Sequence, residues 1–310
     1  MSVAPHPSLR LSEPVTVDPS ATPVDHVRAS LDQRLRALLA HEPGTRTGED
    51  IEDLHQMRVA VRRMRATLKA ARPLLDATWA DGLRAELGWL GGALGPVRDL
   101  DVLLLRLHRE IASLPADEEA AGAVLLDALE RERTTARAAM LEALTAPRYF
   151  ALLERLADTV GAPLPTPDPT EALLPALVDL VRAEARKLRR AVERAGEDPP
   201  DEVLHALRIR GKRVRYTGEL VAPSLADLPT GKSVKRLLSA TAALQEVLGD
   251  HQDACVAEHR IRDLLAGLDA TPDTVFVAGR LVEREIHRAE EKRREWHGAW
   301  VLVDARIAEV

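Results

Sequence analysis

The chain has 310 residues, of which 45% are hydrophobic, 30% are charged and 3% are aromatic, and its formal net charge is −6. This hydrophobic content excludes a disordered chain, and the abundance of Ala, Leu, Arg and Glu predicts an all-α protein. The longest charge-free stretch covers residues 87–97, which is too short for a membrane-spanning helix. The N-terminus lacks the apolar region of a secretion signal, so we expect a cytoplasmic protein.

Proline and glycine divide the chain into segments. Residues 1–23 contain five prolines and little hydrophobic pattern, which predicts a flexible tail. Helical periodicity follows, and its richest interruption is 161–169, where four of nine residues are proline. We therefore predict an N-terminal helical bundle over 24–162 and a C-terminal helical bundle over 163–310.

Shorter interruptions predict further helix ends. A break is expected at Pro43-Gly44. At Gly95-Pro96 and at Gly249-Asp250, glycine predicts the end of one helix and the next residue predicts the start of another. On this interpretation Asp99 and Asp253 lie in first helical turns, where they cap the helix or orient basic side chains.

The two halves of the chain share sequence. Residues 54–65 align without gaps with residues 204–215, and five of the twelve positions are identical. A second match relates residues 94–102 to residues 248–256. Two matches in the same order at nearly equal offsets predict a duplicated helical unit, and hence two bundles related by a pseudo-two-fold axis.

Positive charge is concentrated in the first matched segment of each half. Residues 54–75 contain six Lys or Arg residues and no acid, and residues 203–218 contain five and no acid. On a helix, these cations and the nearby histidines form one narrow stripe in each segment. The first stripe consists of His55, Arg58, Arg62, Arg65, Lys69 and Arg72, and the second of His205, Arg208, Lys212 and Arg215.

Such stripes predict a groove that binds a polyanion, because Arg and Lys both bind phosphate oxygens well. For any one arginine, a salt bridge to an acid on a neighbouring helix is an equal alternative. Non-specific RNA binding is a second alternative. Sequence-specific RNA recognition is not expected, because Tyr216 is the only aromatic residue near the stripes that could stack on a base.

Enzymatic alternatives have weaker support. A metal-dependent phosphohydrolase could be built from His55, His205, His251, Asp99, Asp101 and Asp253, but their spacing matches no HExxH or His-x-His motif. No Gly-x-Ser-x-Gly motif is present, and Gly231-Lys232-Ser233 lacks the first glycine of a phosphate-binding loop. Cys255 is the single cysteine and is expected to be a buried or half-buried residue without a zinc pattern. We predict no catalytic residue, metal or cofactor.

Four motifs in order resemble the CHAD domain, the conserved histidine α-helical domain. They lie at residues 54–65, 94–102, 204–216 and 244–253. The resemblance implies two helical bundles around a basic groove or pore that binds inorganic polyphosphate, often at polyphosphate granules, without established catalytic activity. CHAD domains are often fused to a CYTH triphosphatase domain, for which we expect the 23-residue tail to be too short. A separate CYTH-type triphosphatase and other granule proteins are candidate partners.

The resemblance also implies a set of phosphate-binding residues. They are His55, Arg58, Arg62, Arg63, Arg65, Lys69, Arg98, His205, Arg208, Lys212, Arg213, Arg215, Lys232, Lys235 and Arg236. One position departs from the family pattern, because Ala242 and Ala243 stand where members often have Lys or Arg. We therefore expect less charge in that part of the groove.

Overall fold

The computed structural model describes residues 11–18, 20–166, 174–225 and 228–310, with side chains described from residue 178 in the helix that contains it. All regular secondary structure in these ranges is helical, which confirms the predicted all-α fold class. The first five α-helices are α1 (Pro23–Thr47), α2 (Ile51–Ala70), α3 (Ala77–Ile111), α4 (Ala116–Thr145) and α5 (Pro147–Gly161). The following four are α6 (Leu174–Ala195), α7 (Asp201–Val221), α8 (Pro229–Ala266) and α9 (Pro272–Ile307).

Three apolar clusters hold the helices together. The first joins α1, α2, α3 and α5, and the second joins α6, α7, α8 and the end of α9. The third joins the end of α3 and α4 to the end of α8 and the start of α9. Helices α2 and α7 also pack against each other. Burial of apolar surface in the third cluster therefore ties the N-terminal helices to the C-terminal helices.

The predicted helix breaks at Gly95-Pro96, Gly249-Asp250 and Pro43-Gly44 are wrong. Helix α3 continues through the first pair, α8 through the second and α1 through the third. In α3, the buried Leu94 and Val97 continue one apolar face across the proline, so packing outweighs the local cost of proline in a helix. Asp99 and Asp253 consequently lie inside helices and cap neither.

The actual helix ends use other residues. Thr22 caps α1 and Asp50 caps α2, each accepting a hydrogen bond from a backbone N–H of the first turn. Helix α1 ends at Gly48, whose φ of 73° lies in the left-handed region that glycine adopts easily.

Part of the predicted tail lies against α1. The Val15 N–H donates to Asp32 Oδ2 at 2.9 Å, and the Arg36 guanidinium donates to the Ser12 carbonyl at 2.5 Å. Residues 1–10 and residue 19 of the tail, and residues 167–169 of the predicted break between bundles, lie outside the described residues. The tail, the bundle boundaries and the duplicated unit stay predictions.

None of the helices in the described ranges combines the length and the apolar character needed to cross a bilayer.

A core substitution tests the second apolar cluster. Trp296 is 2% exposed, so Trp296→Ala should lower the free energy of unfolding by about 3–5 kcal/mol because it leaves a cavity. Leu302→Ala on the same helix is the control, because that side chain is 57% exposed and its loss should change stability little. Urea denaturation followed by circular dichroism measures both. If the two substitutions lowered the free energy of unfolding equally, Trp296 would not be packed in the second apolar cluster.

Candidate functional site

The two basic helices, α2 and α7, pack against each other with α3 and α8 beside them. Each basic helix also has an apolar face. The face of α2 is buried in the first cluster and that of α7 in the second: Leu54, Met57, Val61, Met64 and Leu68, and Leu204, Leu207 and Val214, respectively. Each apolar face adjoins a basic stripe, so its burial fixes the direction in which the cations project. Some cations of α2 and α7 therefore lie close together.

Four of these cations form what we call the central cluster: Arg58 and Arg62 of α2 with Arg208 and Lys212 of α7. Their mutual repulsion contributes to the lowered pKa values of Lys212 and Arg62. Partial loss of water, followed by the charges of Arg208 and Arg62, lowers the pKa of Lys212 to about 8. Partial loss of water also lowers the pKa of Arg62, and the charges of Arg58 and Arg208 add to this effect.

The central cluster is in contact with solvent and is also partly surrounded by protein. Arg62 and the neighbouring Asp253 both have exposed side chains. Nevertheless, partial loss of water lowers the pKa of Arg62 and raises the pKa of the Asp253 carboxyl. Electrostatic attraction to a ligand is less screened at such partly desolvated groups than at fully hydrated ones.

Two arginines of the central cluster are oriented by acids on the neighbouring helices. Arg58 Nη1 lies 3.0 Å from Asp99 Oδ1 and donates to the Gly95 carbonyl at 2.6 Å. Arg208 Nη2 lies 3.9 Å from Asp253 Oδ1. Of the two roles predicted for these acids, the structure thus assigns the orientation of basic side chains.

The arginines lie against glycines of α3 and α8. A Cβ atom at Gly95 would stand 3.3 Å from Arg58 Nη1, which is closer than most Cβ contacts, and one at Gly249 would stand 3.5 Å from Arg208 Nε, which is an ordinary contact. Of the two glycines that sequence analysis interpreted as helix ends, Gly95 therefore favours the close approach of an arginine.

Many of the predicted ligand residues carry charge that no acid balances. Within the described ranges, no carboxylate oxygen lies within 4.0 Å of nine of these cations, whereas the other four are paired. The nine are Arg62, Arg63, Arg65, Lys69, Arg98, Lys212, Arg213, Lys232 and Lys235. The salt-bridge alternative applies to Arg58, Arg208, Arg215 and Arg236, which pair with Asp99, Asp253, Glu219 and Glu309.

Two further grooves flank the packed pair of helices. The α1 groove has a volume of 420 Å³ and contains Arg63. The α6 groove has a volume of 460 Å³ and contains Lys69 and Arg213. Tyr216 lines both grooves. The predicted residues therefore do not all face one space, because Arg63 and Arg213 project to opposite sides.

The two predicted histidines occupy matching positions. His55 and His205 are each the fifth residue of their helix, about one turn inside the start as predicted. Burial, and then the charge of Arg98, lowers the pKa of His55. The Nδ1 atom of His205 lies 2.6 Å from Gln252 Oε1.

The three predicted residues of α8 are placed differently. Lys232, Lys235 and Arg236 are exposed on the first turns of this helix. Arg236 Nε lies 2.8 Å from Glu309 Oε2 near the C-terminus. No hydrogen bond or ion pair within the described part of the chain links these three residues to the central cluster.

Sequence analysis missed several cations that line the flanking grooves. Arg34 contributes to the α1 groove, and Arg84 and Lys187 contribute to the α6 groove. In the sequence these residues stand among acids, and Arg84 and Lys187 pair with Asp81 and Glu184 on their own helices. A search for helical stripes of positive charge without acids therefore does not detect them.

This helical architecture and its basic helices agree with one known family. The family model described as CHAD domain matches residues 29–262. Two Mycobacterium tuberculosis proteins, "Uncharacterized protein MT2285" of strain CDC 1551 / Oshkosh and "Uncharacterized protein Rv2226" of strain H37Rv, are each 31% identical over 293 residues. The alignment covers 92% of this chain and 54% of each relative, so the chain spans about half the length of these relatives. The chain belongs to the CHAD domain family.

Solved structures support the fold. "PptA from Streptomyces chartreusis" superposes with a TM-score of 0.71 at 24% identity, covering 90% of this chain and 99% of that chain. The CHAD domain from the plant Ricinus communis superposes with a TM-score of 0.69 at 25% identity, covering 97% and 96%. Both likenesses extend over nearly the whole of each molecule.

The charges around Lys212 can be tested with two substitutions that should shift its pKa in opposite directions. Arg62→Gln should raise the pKa of Lys212 from about 8 toward 10.5, because one repelling charge is removed. Asp253→Asn should lower it further, because an attracting charge is removed. Titration of the lysine side chains by NMR, with Lys212→Arg for assignment, measures both shifts. An unchanged Lys212 pKa in Arg62→Gln would show that the two cations are not neighbours.

Proposed function

We propose that this protein binds inorganic polyphosphate through the paired basic helices α2 and α7. The observation that carries the proposal is the central cluster, where four cations from two helices repel one another at a surface that solvent reaches. A bound polyanion would replace this repulsion by attraction. It would also raise the pKa of Lys212, so binding near pH 8 would be accompanied by proton uptake.

The shape of the ligand follows from the distribution of the cations. The central cluster lies where α2 and α7 meet, and the α1 and α6 grooves lie on either side of these helices. A flexible chain of phosphates can contact many separate cations, whereas a single small anion contacts few. CHAD domains are associated with polyphosphate-related proteins, which favours this linear polyanion over RNA.

The proposed activity is binding without hydrolysis. CHAD domains are generally binding domains. Asp99 and Asp253, which the phosphohydrolase alternative would use as metal ligands, are paired with Arg58 and Arg208. Association with polyphosphate granules, and with a CYTH-type triphosphatase or other granule proteins, belongs to the same proposal.

The first test of the proposal varies chain length and salt. Affinity should rise with polyphosphate length and fall with salt, because each neutralised phosphate releases counterions, as it does in nucleic acids. Isothermal titration with pyrophosphate, a short oligomer and a long chain measures this. Equal affinity for pyrophosphate and the long chain would contradict the proposal, and so would equally tight binding of single-stranded RNA of the same charge.

The same samples test for hydrolysis. Long polyphosphate incubated with the protein and Mg²⁺, Mn²⁺ or Zn²⁺ should keep its length on a gel. Metal-dependent shortening that is lost in His55→Ala would establish the phosphohydrolase alternative.

Charge reversal tests the contribution of each helix. Arg62→Glu with Arg65→Glu on α2, and Lys212→Glu with Arg215→Glu on α7, should each weaken long-chain binding. The slope of log affinity against log salt should fall by about two in each double variant, because two phosphate contacts are lost. The loss should be larger for the long chain than for a short oligomer, because a long chain contacts both helices at once.

A matched control separates local contacts from net charge. Arg131→Glu with Arg294→Glu changes the net charge by the same amount at exposed positions outside both grooves. Its effect on binding should be small, and circular dichroism should show that all three double variants remain folded. If one helix could be reversed without loss of long-chain affinity, the two helices would not share the ligand.

A further inference from the structure

A cluster of potential metal ligands lies at the beginning of α7 and is not part of the central cluster. Asp201 is the first residue of α7, and His251 and Cys255 lie on α8. His251 Nε2 is 3.2 Å from Asp201 Oδ1 and 3.8 Å from Cys255 Sγ, and Cys255 Sγ is 3.8 Å from Asp201 Oδ2. One ligand atom from each residue lies within 4.8 Å of the others.

The local structure places these groups well for coordination. His251 and Cys255 are one helical turn apart, so their side chains project from the same face of α8. The His251 side chain is 2% exposed, and Cys255 is half-buried. Asp201 reaches the same point from a different helix. Side chains from two packed helices therefore converge on one space.

The separations fit a tetrahedral zinc ion. With the usual Zn–N, Zn–O and Zn–S bond lengths, tetrahedral ligand atoms are about 3.4–3.6 Å apart. The separations of His251 Nε2 from Asp201 Oδ1 and from Cys255 Sγ, 3.2 and 3.8 Å, differ from this by a few tenths of an ångström. Cys255 Sγ is 3.8 Å from the other oxygen of Asp201, so a small rotation of this carboxylate is needed for one oxygen to serve as the ligand. A thiolate and an imidazole select zinc and related transition metals over Mg²⁺ or Ca²⁺, which prefer oxygen ligands.

The surroundings are suited to a divalent cation. A cleft of 160 Å³ borders the three residues and is also lined by the acids Glu258, Glu285 and Glu290 and by Arg293, so acids predominate and space remains for a fourth ligand. Arg293 donates to the carboxylate of Asp201 and also lies 3.0 Å from Asp198. A metal-binding carboxylate is commonly oriented by such an outer partner.

We propose that Asp201, His251 and Cys255 form a zinc site that ties the start of α7 to α8. Zinc coordinates the thiolate form, so binding releases the Cys255 proton to solvent. The site would fix the end of the helix that carries His205, Arg208 and Lys212. The sequence has no zinc pattern because Asp201 is 50 residues from His251 along the chain and is brought near only by helix packing.

The single cysteine makes the test specific. Co²⁺ added to the full chain should give a near-ultraviolet thiolate-to-cobalt charge-transfer band, and zinc should displace it with a stoichiometry of one. The band can arise only from Cys255, so Cys255→Ser should abolish it. His251→Ala should weaken zinc binding at least about tenfold, since loss even of an outer partner has an effect of that size.

A distant histidine provides the control. His108 is exposed, lies on α3 and does not line the cleft, so His108→Ala should leave the cobalt band and zinc affinity unchanged. In the unaltered protein, zinc should also protect Cys255 from alkylation by iodoacetamide. This measurement needs no variant and remains valid if a substitution impairs folding.

Several outcomes would overturn the zinc site. They are the absence of a thiolate-to-cobalt band, zinc affinity that is unchanged by Cys255→Ser, and alkylation that zinc does not slow. Loss of binding in His108→Ala equal to that in His251→Ala would also contradict it, because it would indicate unspecific surface binding. None of these measurements uses polyphosphate, so they are independent of the proposed function.

Discussion

Repulsion between cations on α2 and α7 is the constraint on which the site depends. Like charges lower the stability of each helix and disfavour its approach to the other. Burial of apolar residues opposes this effect, because Met57 and Met64 of α2 and Val214 of α7 are fully buried in the two cores. Partial loss of water, and then the charges of Arg208 and Arg62, lower the pKa of Lys212, so part of this repulsion persists in the folded protein. The site is therefore held in a state that an anion stabilises.

Helices α3 and α8, which lie beside α2 and α7, determine how the basic side chains of the cluster are oriented. The uninterrupted paths of α3 and α8 bring Gly95 and Gly249 under the arginines Arg58 and Arg208, and the acids one turn later pair with the guanidinium groups. The acids orient two cations, while their neighbours Arg62 and Lys212 remain without an acid partner among the described residues. Arg58 and Arg208 are thus held in place by acids, whereas the unbalanced positive charge of the cluster comes from Arg62 and Lys212.

Sequence analysis predicted those features that depend on local pattern. The all-α fold, the two basic helices and the positions of their histidines follow from periodicity and charge that can be read along one segment. It was wrong about Gly95-Pro96 because the packing of Leu94 and Val97 against other helices decides whether α3 continues. It could not foresee that Arg63 and Arg213 project to opposite sides, because a helical wheel gives directions relative to one helix and not to its neighbours.

The two flanking grooves differ in charge although they adjoin the same helices. In the α1 groove, the cations Arg34, Arg36 and Arg63 face the acids Asp32 and Glu219. In the α6 groove, the five cations Lys69, Arg72, Arg84, Lys187 and Arg213 face the single lining acid Glu184. At the sequence offset of 150, Glu219 aligns with Lys69 of the other basic helix, and the two residues line different grooves. The excess of cations makes the potential more positive in the α6 groove, which would draw a polyphosphate chain bound as proposed toward that side.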